Sequence, residues 1–182
     1  MTYRELFSKT CQQGIAPHEV RLLLEHLFSF SQTSLLIHFD DPCDSSKLEH
    51  FKEMVSKRKT GYPLQYLLGE WEFFGLPFYV GEGVLIPRDT EILVEIALEF
   101  CDGMFSPKIC DLCSGSGCIP IAMSKNLPEE SSLTAVELSD DAFYYLKKNK
   151  ERHQCDNLKL IQADVLTWQP EETFHLITAN PP

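Results

Sequence analysis

The segment from Lys108 to Met123 restricts the possible fold of this chain more than any other. A short apolar strand there runs into the loop Gly115-Ser116-Gly117, which continues into an apolar helical stretch. Glycine permits a tight turn and a close approach of the backbone to a ligand, and the N–H groups at a helix start point into the same space. A strand, a glycine loop and a helix in this order predict an α/β fold with a nucleotide-type loop, although the loop alone does not establish a cofactor site.

Three more apolar strands follow, and each ends in a polar residue. The predicted strands and their end residues are 133–136 with Glu137, 158–162 with Asp164, and 174–179 with Asn180. Ligands of open α/β sheets bind outside the carboxyl ends of the strands. We therefore expect these side chains, together with Asp111 on the first strand, to lie around one site.

Glu137 has two possible roles. It lies twenty residues beyond Gly117 and just before a helix that is predicted to open at Ser139. In an open α/β sheet this position faces the ribose of a bound nucleoside, whose hydroxyls a carboxylate can accept. The alternative is an acid that stabilises the helix start, because acidic residues favour that position. The sequence leaves both open.

The tripeptide Asn180-Pro181-Pro182 is an unusual way to present hydrogen-bond acceptors. Proline fixes its own φ and restricts the preceding residue to extended dihedrals. The Asn180 side-chain oxygen and the Pro181 carbonyl would therefore be nearly rigid, and together they could bind one planar –NH2 group. An ordinary proline-rich turn is the alternative for the tripeptide alone.

A dinucleotide site fits this glycine loop poorly. The dinucleotide fingerprint Gly-x-Gly-x-x-Gly/Ala would place a small residue where this chain has Pro120. Proline suits the first turn of a helix, but it does not allow the close helix–strand packing that the small residue provides. The glycine loop therefore argues against a dehydrogenase.

Charge and cysteine content narrow the class of protein. The net charge is −11, and residues 71–182 hold eight Lys/Arg against eighteen Asp/Glu, whereas residues 1–70 hold eight against nine. An acidic region of this size repels phosphate backbones, so we expect no direct nucleic-acid partner. The seven cysteines are scattered and odd in number, which favours reduced thiols. Cys110 and Cys113 have metal-site spacing without a second pair, so no metal is expected.

No apolar run approaches the ~20 residues that a membrane span needs, and no signal peptide precedes the first helix. We therefore expect a cytoplasmic protein without a membrane association. Residues 1–69 are predicted to form a small helical bundle, in which Thr2–Glu5 and Ser46–Glu49 have capping-box spacing. Residues 70–83 are predicted to form a β-hairpin linker, and residues 84–182 the α/β domain. Helical spacing in that domain predicts a helix over 89–100 with an apolar stripe of Ile92, Leu93, Ile96 and Phe100. The bundle is either a stabilising appendage or a recognition domain.

The ordered motifs resemble class I S-adenosylmethionine-dependent methyltransferases of the Asn-Pro-Pro-Tyr type. The motifs that carry the resemblance are Asp111–Gly117, Ala135–Ser139, Ala163-Asp164 and Asn180–Pro182. Two upstream segments, 61–80 and 84–94, are similar to the hinge and loop of the HemK/PrmC family. That family methylates the glutamine of the Gly-Gly-Gln motif in class 1 peptide chain release factors.

The resemblance implies a fold, a cofactor and a set of site residues. The fold is a Rossmann-like methyltransferase sheet preceded by a helical substrate-recognition domain, and the cofactor is S-adenosylmethionine. The residues expected to bind the cofactor are Asp111, Cys113, Ser114, Gly115, Ser116, Gly117, Glu137, Asp164, Val165 and Asn180. The residues expected to bind the substrate amide are Asn180, Pro181 and Pro182, of which Asn180 and Pro181 are expected to be catalytic.

This chain departs from the family pattern at three places. Arg88 is followed directly by Asp89, which shortens the family's loop by one residue, and Cys113 replaces the first glycine of the cofactor loop. The tyrosine of Asn-Pro-Pro-Tyr is missing, so we expect a C-terminally truncated chain with weak or no catalysis. Two other hypotheses stay open: an Asn-Pro-Pro enzyme acting on ribosomal-protein glutamine or nucleic-acid amino groups, and a non-catalytic binding module.

Overall fold

The computed structural model describes residues 1–181, without the side chain of Arg88. The chain divides into two compact units, Met1–Leu68 and the part from Gly69 onward. Within the described residues, none of the helices combines the length and the apolar character that crossing a membrane requires.

The first unit is helical. Its helices are α1 (Tyr3–Gln12), α2 (Pro17–Phe28), α3 (Gln32–Ile37), α4 (Leu48–Lys59) and α5 (Leu64–Leu68). The side chains that form its core come from different helices and are buried: Leu6, Val20, Leu23, Leu24, Leu35, Phe51, Met54 and Val55. Since apolar residues at helical spacing bury one face of each helix, the predicted bundle follows from the sequence pattern.

One of the two predicted capping boxes is confirmed. The Glu5 N–H donates to the Thr2 hydroxyl (3.2 Å), and the Thr2 N–H donates to the Glu5 carboxylate (3.1 Å). The second, at Ser46, is wrong, because α4 begins at Leu48 and has no side-chain cap. The Asp44 carboxylate instead accepts the Ser46 N–H (2.9 Å) and starts a tight 3₁₀ turn before the helix.

A β-hairpin opens the second unit, as predicted. Strands β1 (Glu70–Phe73) and β2 (Leu76–Tyr79) pair antiparallel. The hairpin packs on α8 (Asp140–His153), where the Pro77 carbonyl lies 2.9 Å from His153 Nε2.

The described residues of the second unit form a four-stranded parallel sheet, which confirms the predicted α/β fold class. Its strands are β3 (Lys108–Leu112), β4 (Ser132–Glu137), β5 (Leu158–Gln162) and β6 (Leu176–Ala179), in the spatial order β5-β4-β3-β6. The helices of this unit are α6 (Glu91–Phe100), α7 (Cys118–Asn126) and α8. Strand β6 begins two residues later than predicted, at Leu176.

The core of the second unit lies between the sheet, its helices and the hairpin. Its fully buried side chains include Phe73, Phe78, Ile109, Ile121, Met123, Leu133 and Leu146. Helix α6 contributes Val94 and Ala97, and Leu93 of the predicted apolar stripe packs against this core. The other three residues of the stripe are exposed: Ile92 is 60%, Ile96 57% and Phe100 52% exposed. The three aliphatic and aromatic residues thus mark the outer face of α6 rather than its core face.

Candidate active site

Strand register brings the glycine loop and Asn180 to the same edge of the sheet. Strands β3 and β6 are parallel neighbours, and Leu112 is paired with Ala179. The next residues along the two strands are Cys113 and Asn180. Because neighbouring strands lie about 4.8 Å apart, the loop after β3 and the tripeptide after β6 begin side by side.

The loop after β3 is built from left-handed residues. The φ angles of Cys113, Gly115 and Gly117 are 57°, 55° and 82°. At Gly117 an added Cβ atom would also overlap with Leu146 Cδ1, so the Leu146 side chain would have to shift. Both the dihedral and the packing therefore favour glycine there. Cys113 adopts the left-handed conformation with a side chain present, which costs of order 1 kcal/mol.

Glu137 holds this loop against the end of β4. Its carboxylate accepts the N–H groups of Gly115 (2.8 Å), Leu138 (2.9 Å) and Ser139 (2.9 Å). The cap of α8 is Ser139, whose hydroxyl accepts the Ala142 N–H. A carboxylate has roughly four acceptor directions, so about one remains for a ligand hydroxyl.

Asn149 on α8 supports the loop from the other side. Its side chain is fully buried and donates to the Ser116 carbonyl (2.8 Å) and the Tyr79 carbonyl (3.0 Å). The Asn149 side-chain oxygen accepts the Tyr79 N–H (2.7 Å). One side chain therefore satisfies backbone groups of both the glycine loop and the hairpin.

The Asn180 side chain is oriented by Thr90, at the start of α6. Asn180 Nδ2 donates to the Thr90 hydroxyl (3.0 Å), and Thr90 itself is 5% exposed. In the described part of the chain no hydrogen bond engages Asn180 Oδ1, which is left as an acceptor. Pro181 follows with an exposed ring.

These elements surround a cavity of about 900 Å³, a size typical of cofactor sites. The residues identified from the sequence that line it are Cys113, Ser114, Gly115, Ser116, Glu137, Asp164, Val165, Asn180 and Pro181. Asp111 and Gly117 are not among the lining residues, because they shape the base of the loop. Pro182 lies outside the described residues.

Asp111 has a place inside the sheet. Its side chain is fully buried, and Oδ1 accepts a hydrogen bond from the Thr178 hydroxyl of β6 (2.7 Å). Burial raises the pKa of Asp111 to about 7, and the hydrogen bond from Thr178 opposes that rise. Asp111 thus connects the two strands whose ends provide the loop and Asn180.

The cavity is acidic. Among the described lining residues are three carboxylates, on Asp89, Glu137 and Asp164, and no Lys, Arg or His. Burial and then the Glu137 charge raise the pKa of the Cys113 thiol. This thiol therefore stays protonated near neutral pH and is a weak nucleophile.

One side of this cavity is not indicated by the site residues that the sequence predicts. The lining residues that the sequence did not identify include Gly83, Leu85, Pro87, Asp89, Thr90, Leu93, Cys118, Ile119, Leu138, Ser139 and Ala142. Those on α7 and α8 follow directly from loops that were identified. No spacing in the sequence indicates Thr90. Its place in the site becomes visible only in the structure, where its hydroxyl contacts Asn180 and does not cap its own helix.

Two family models match this chain. The model described as the methyltransferase small domain matches residues 86–182, and the model described as the PrmC N-terminal domain matches residues 4–69. The two matches confirm the resemblance that the sequence motifs predict.

Curated relatives are similar over most of this chain. A release factor glutamine methyltransferase of Fusobacterium nucleatum is 40% identical, over 76% of this chain and 39% of the relative. Proteins of the same name from Flavobacterium psychrophilum and Geobacter sulfurreducens are both 36% identical, over 88% and 90% of this chain. The chain spans 58% and 57% of those two relatives, so it corresponds to little more than half of their length.

Solved structures support the fold. A tRNA (uracil-54, C5)-methyltransferase of Pyrococcus abyssi, in complex with S-adenosyl-L-homocysteine, aligns with a TM-score of 0.50 at 17% identity. The alignment covers 62% of this chain and 28% of that protein. At this identity the similarity concerns the fold alone.

Proposed function

This chain belongs to the methyltransferase small domain family, and we propose that the protein methylates the glutamine side chain in the Gly-Gly-Gln motif of class 1 peptide chain release factors. The proposed methyl donor is S-adenosylmethionine, and the product is N5-methylglutamine. One observation carries the proposal: Asn180 and Pro181 line the same cavity as the glycine loop and Glu137. The names of the curated relatives support the choice of substrate.

The cavity fits this cofactor in size and charge. S-adenosylmethionine supplies an electrophilic methyl group on a positively charged sulfur. The three carboxylates of the cavity favour a cationic ligand and disfavour the pyrophosphate of a dinucleotide, which argues against a dehydrogenase. The residues proposed to contact the cofactor are Cys113, Ser114, Gly115, Ser116, Glu137, Asp164, Val165 and Asn180. Asp111 and Gly117 are proposed to shape the loop that holds it.

Asn180 and Pro181 are proposed to bind and orient the substrate amide. A primary amide nitrogen is a poor nucleophile, because its lone pair is delocalised into the carbonyl group. The Asn180 side-chain oxygen and the Pro181 carbonyl would accept its two N–H groups and favour positive charge on nitrogen during methyl transfer. Alignment alone can lower the barrier of such a displacement by several kcal/mol.

The proposed reaction does not require a strong base. The proton on nitrogen can leave after the methyl group has been transferred, when the nitrogen has become acidic. The cavity-lining residues that the structure describes agree with this, since they include no histidine or lysine and the Cys113 thiol is protonated. Orientation and electrostatics are then the main contributions of the protein.

The helical unit is proposed to recognise the release factor. Its match to the PrmC N-terminal domain model supports this role, with domain limits of 1–69, 70–83 for the hairpin linker and 84–182 for the catalytic domain. The acidic catalytic region supports a protein substrate rather than nucleic acid. Because release factors act on ribosomes, we propose a cytoplasmic location.

The decisive experiment is methyl transfer from tritiated S-adenosylmethionine to a class 1 release factor. Labelling should appear on the wild-type release factor and disappear when the Gly-Gly-Gln glutamine is replaced by alanine. Labelling that persists on the alanine variant would refute the proposed substrate. Parallel reactions with ribosomal protein and with adenine- or guanine-containing nucleic acid test the other Asn-Pro-Pro activities. Calorimetry with S-adenosylhomocysteine separates an enzyme from a non-catalytic binding module.

A further inference from the structure

We propose that Thr90 is a positioning residue for Asn180: its hydroxyl holds the Asn180 amide so that Oδ1 is presented to the substrate nitrogen. This inference rests on the proposed function, in which Asn180 accepts an N–H of the substrate glutamine. It adds a residue at the start of α6 to a site built on the ends of the β-strands.

The hydrogen bond from Asn180 Nδ2 to the Thr90 hydroxyl is the first observation. It measures 3.0 Å and joins residues ninety positions apart. Both residues line the cavity, and Thr90 is 5% exposed. A buried threonine offers a fixed acceptor, since its surroundings limit the rotation of its side chain.

The second observation is that the Thr90 hydroxyl does not cap its own helix. Thr90 ends a short 3₁₀ turn, Arg88–Thr90, that runs directly into α6. A threonine at a helix start usually accepts a backbone N–H of the first turn. Here no side-chain cap hydrogen bond is formed, and the Thr90 dihedrals are helical, with φ −76° and ψ −17°. Its side chain is therefore available to Asn180 instead of to its own helix.

The orientation of the Asn180 amide decides whether it can bind the substrate. An asparagine side chain has an acceptor oxygen on one side and a donor –NH2 on the other. With the –NH2 group held by Thr90, the oxygen remains for the substrate. In the reversed orientation two –NH2 groups would face each other, and neither could accept.

Other contacts hold the start of α6 in place, so the position of the Thr90 hydroxyl is fixed. The adjacent Glu91 carboxylate accepts the Phe74 N–H of the hairpin turn (2.9 Å). Ile86 before Thr90 and Val94 after it are 2% and 0% exposed. The Thr90 hydroxyl thus belongs to a packed segment, whereas Asn180 lies on the exposed end of β6.

A substrate-independent test uses NMR of the ¹⁵N-labelled, full 182-residue chain. Thr90→Val keeps the shape of the side chain but removes the acceptor, and Thr90→Ser keeps the acceptor. We expect hydrogen exchange of the Asn180 side-chain –NH2 to be about fivefold faster in Thr90→Val and within about twofold of wild type in Thr90→Ser. Thr134→Val, which alters a buried threonine of β4 outside the cavity, is the matched control and should leave Asn180 unchanged.

Methyl transfer provides the second measurement. Thr90→Val should lower kcat about fivefold, because one hydrogen bond that orients Asn180 is lost. The KM for S-adenosylmethionine should not change. Thr90→Ser should restore kcat. Thr90→Ala replaces Thr90→Val if the valine variant does not fold, as judged by S-adenosylhomocysteine binding.

Unchanged Asn180 exchange in the valine or alanine variant, or an equal change in Thr134→Val, would overturn the role of Thr90. Methylation of a release factor whose Gly-Gly-Gln glutamine is replaced by alanine would instead overturn the proposed function, while the exchange measurement would still decide on Thr90.

Discussion

The two sides of the cavity are held in place by different means. On the glycine-loop side, the buried side chains of Glu137 and Asn149 bind the loop backbone through several hydrogen bonds. On the other side, Asn180 is exposed and, within the described residues, its side chain makes one hydrogen bond, to Thr90. The loop side is therefore part of the packed fold, whereas the acceptor side depends on a local contact. Changes at the loop should alter global stability, and changes at Thr90 should alter reactivity.

The largest effect is expected at Asn149. Asn149→Leu would leave the Tyr79 N–H, the Tyr79 carbonyl and the Ser116 carbonyl without their partner, and should lower the free energy of unfolding by about 3 kcal/mol. Weaker binding of S-adenosylhomocysteine should accompany this loss. Denaturant unfolding and calorimetry measure the two effects.

Asn126→Leu is the matched control for Asn149→Leu. Asn126 is exposed on α7 and makes a single hydrogen bond within its own helix, so its replacement should cost less than about 1 kcal/mol. Equal losses in the two variants would contradict the special role of Asn149.

The glycine loop offers an internal comparison of packing and dihedral strain. Gly117→Ala adds a Cβ close to Leu146 in a left-handed residue, and should destabilise the protein by about 2 kcal/mol. Gly115→Ala has the same kind of dihedral but no atom within 4 Å of the added Cβ, so it should cost about 1 kcal/mol. Thermal unfolding of both variants checks the order, which is wrong if Gly115→Ala is the more damaging.

Asp111 should make stability depend on pH. Its folded pKa of about 7 exceeds the ordinary value of 3.8, so the folded state binds more protons than the unfolded state between these values. The contribution of Asp111 to stability should rise by about 1.5 kcal/mol as the pH falls from 7 to 5.5. It is lost again as the pH rises through 7.

Denaturant unfolding at several pH values measures this contribution. Asp111→Asn cannot titrate but can still accept from the Thr178 hydroxyl, so the variant should have a flatter pH profile than wild type. Profiles that run parallel between pH 5.5 and 7 would show that Asp111 does not titrate in this range.

The smallest effect is expected at Cys113, where replacement by glycine should raise the stability relative to replacement by alanine. Cys113→Gly relieves a left-handed conformation, whereas Cys113→Ala keeps the Cβ and removes only the thiol. The glycine variant should therefore be more stable than the alanine variant by about 1 kcal/mol, although glycine also gains entropy in the unfolded chain. Thermal unfolding compares the two, and an alanine variant of equal or higher stability would exclude strain at this position.

The sheet strands were well predicted because their signals are local. Strand β5 has the predicted limits, Leu158–Gln162, and the hairpin lies where the sequence indicates it. The prediction at Ser46 was wrong because two nearby residues, Asp44 and Ser46, are both good caps, and spacing does not show which one starts the turn. The stripe on α6 shows a second limit: helical spacing identifies an apolar face but not which element covers it.

By itself, the sequence determined the order of strands, loops and helices, because short-range dihedral preferences and apolar spacing are encoded locally. It also identified nine of the twenty described residues that line the cavity, those of the glycine loop and of the polar strand ends. Only the tertiary structure placed Asp111 inside the sheet rather than on the cavity, and joined Thr90 to Asn180 and Asn149 to the glycine loop. These contacts link residues far apart in the chain, and their geometry is decided by strand register and helix packing, which a linear pattern does not contain.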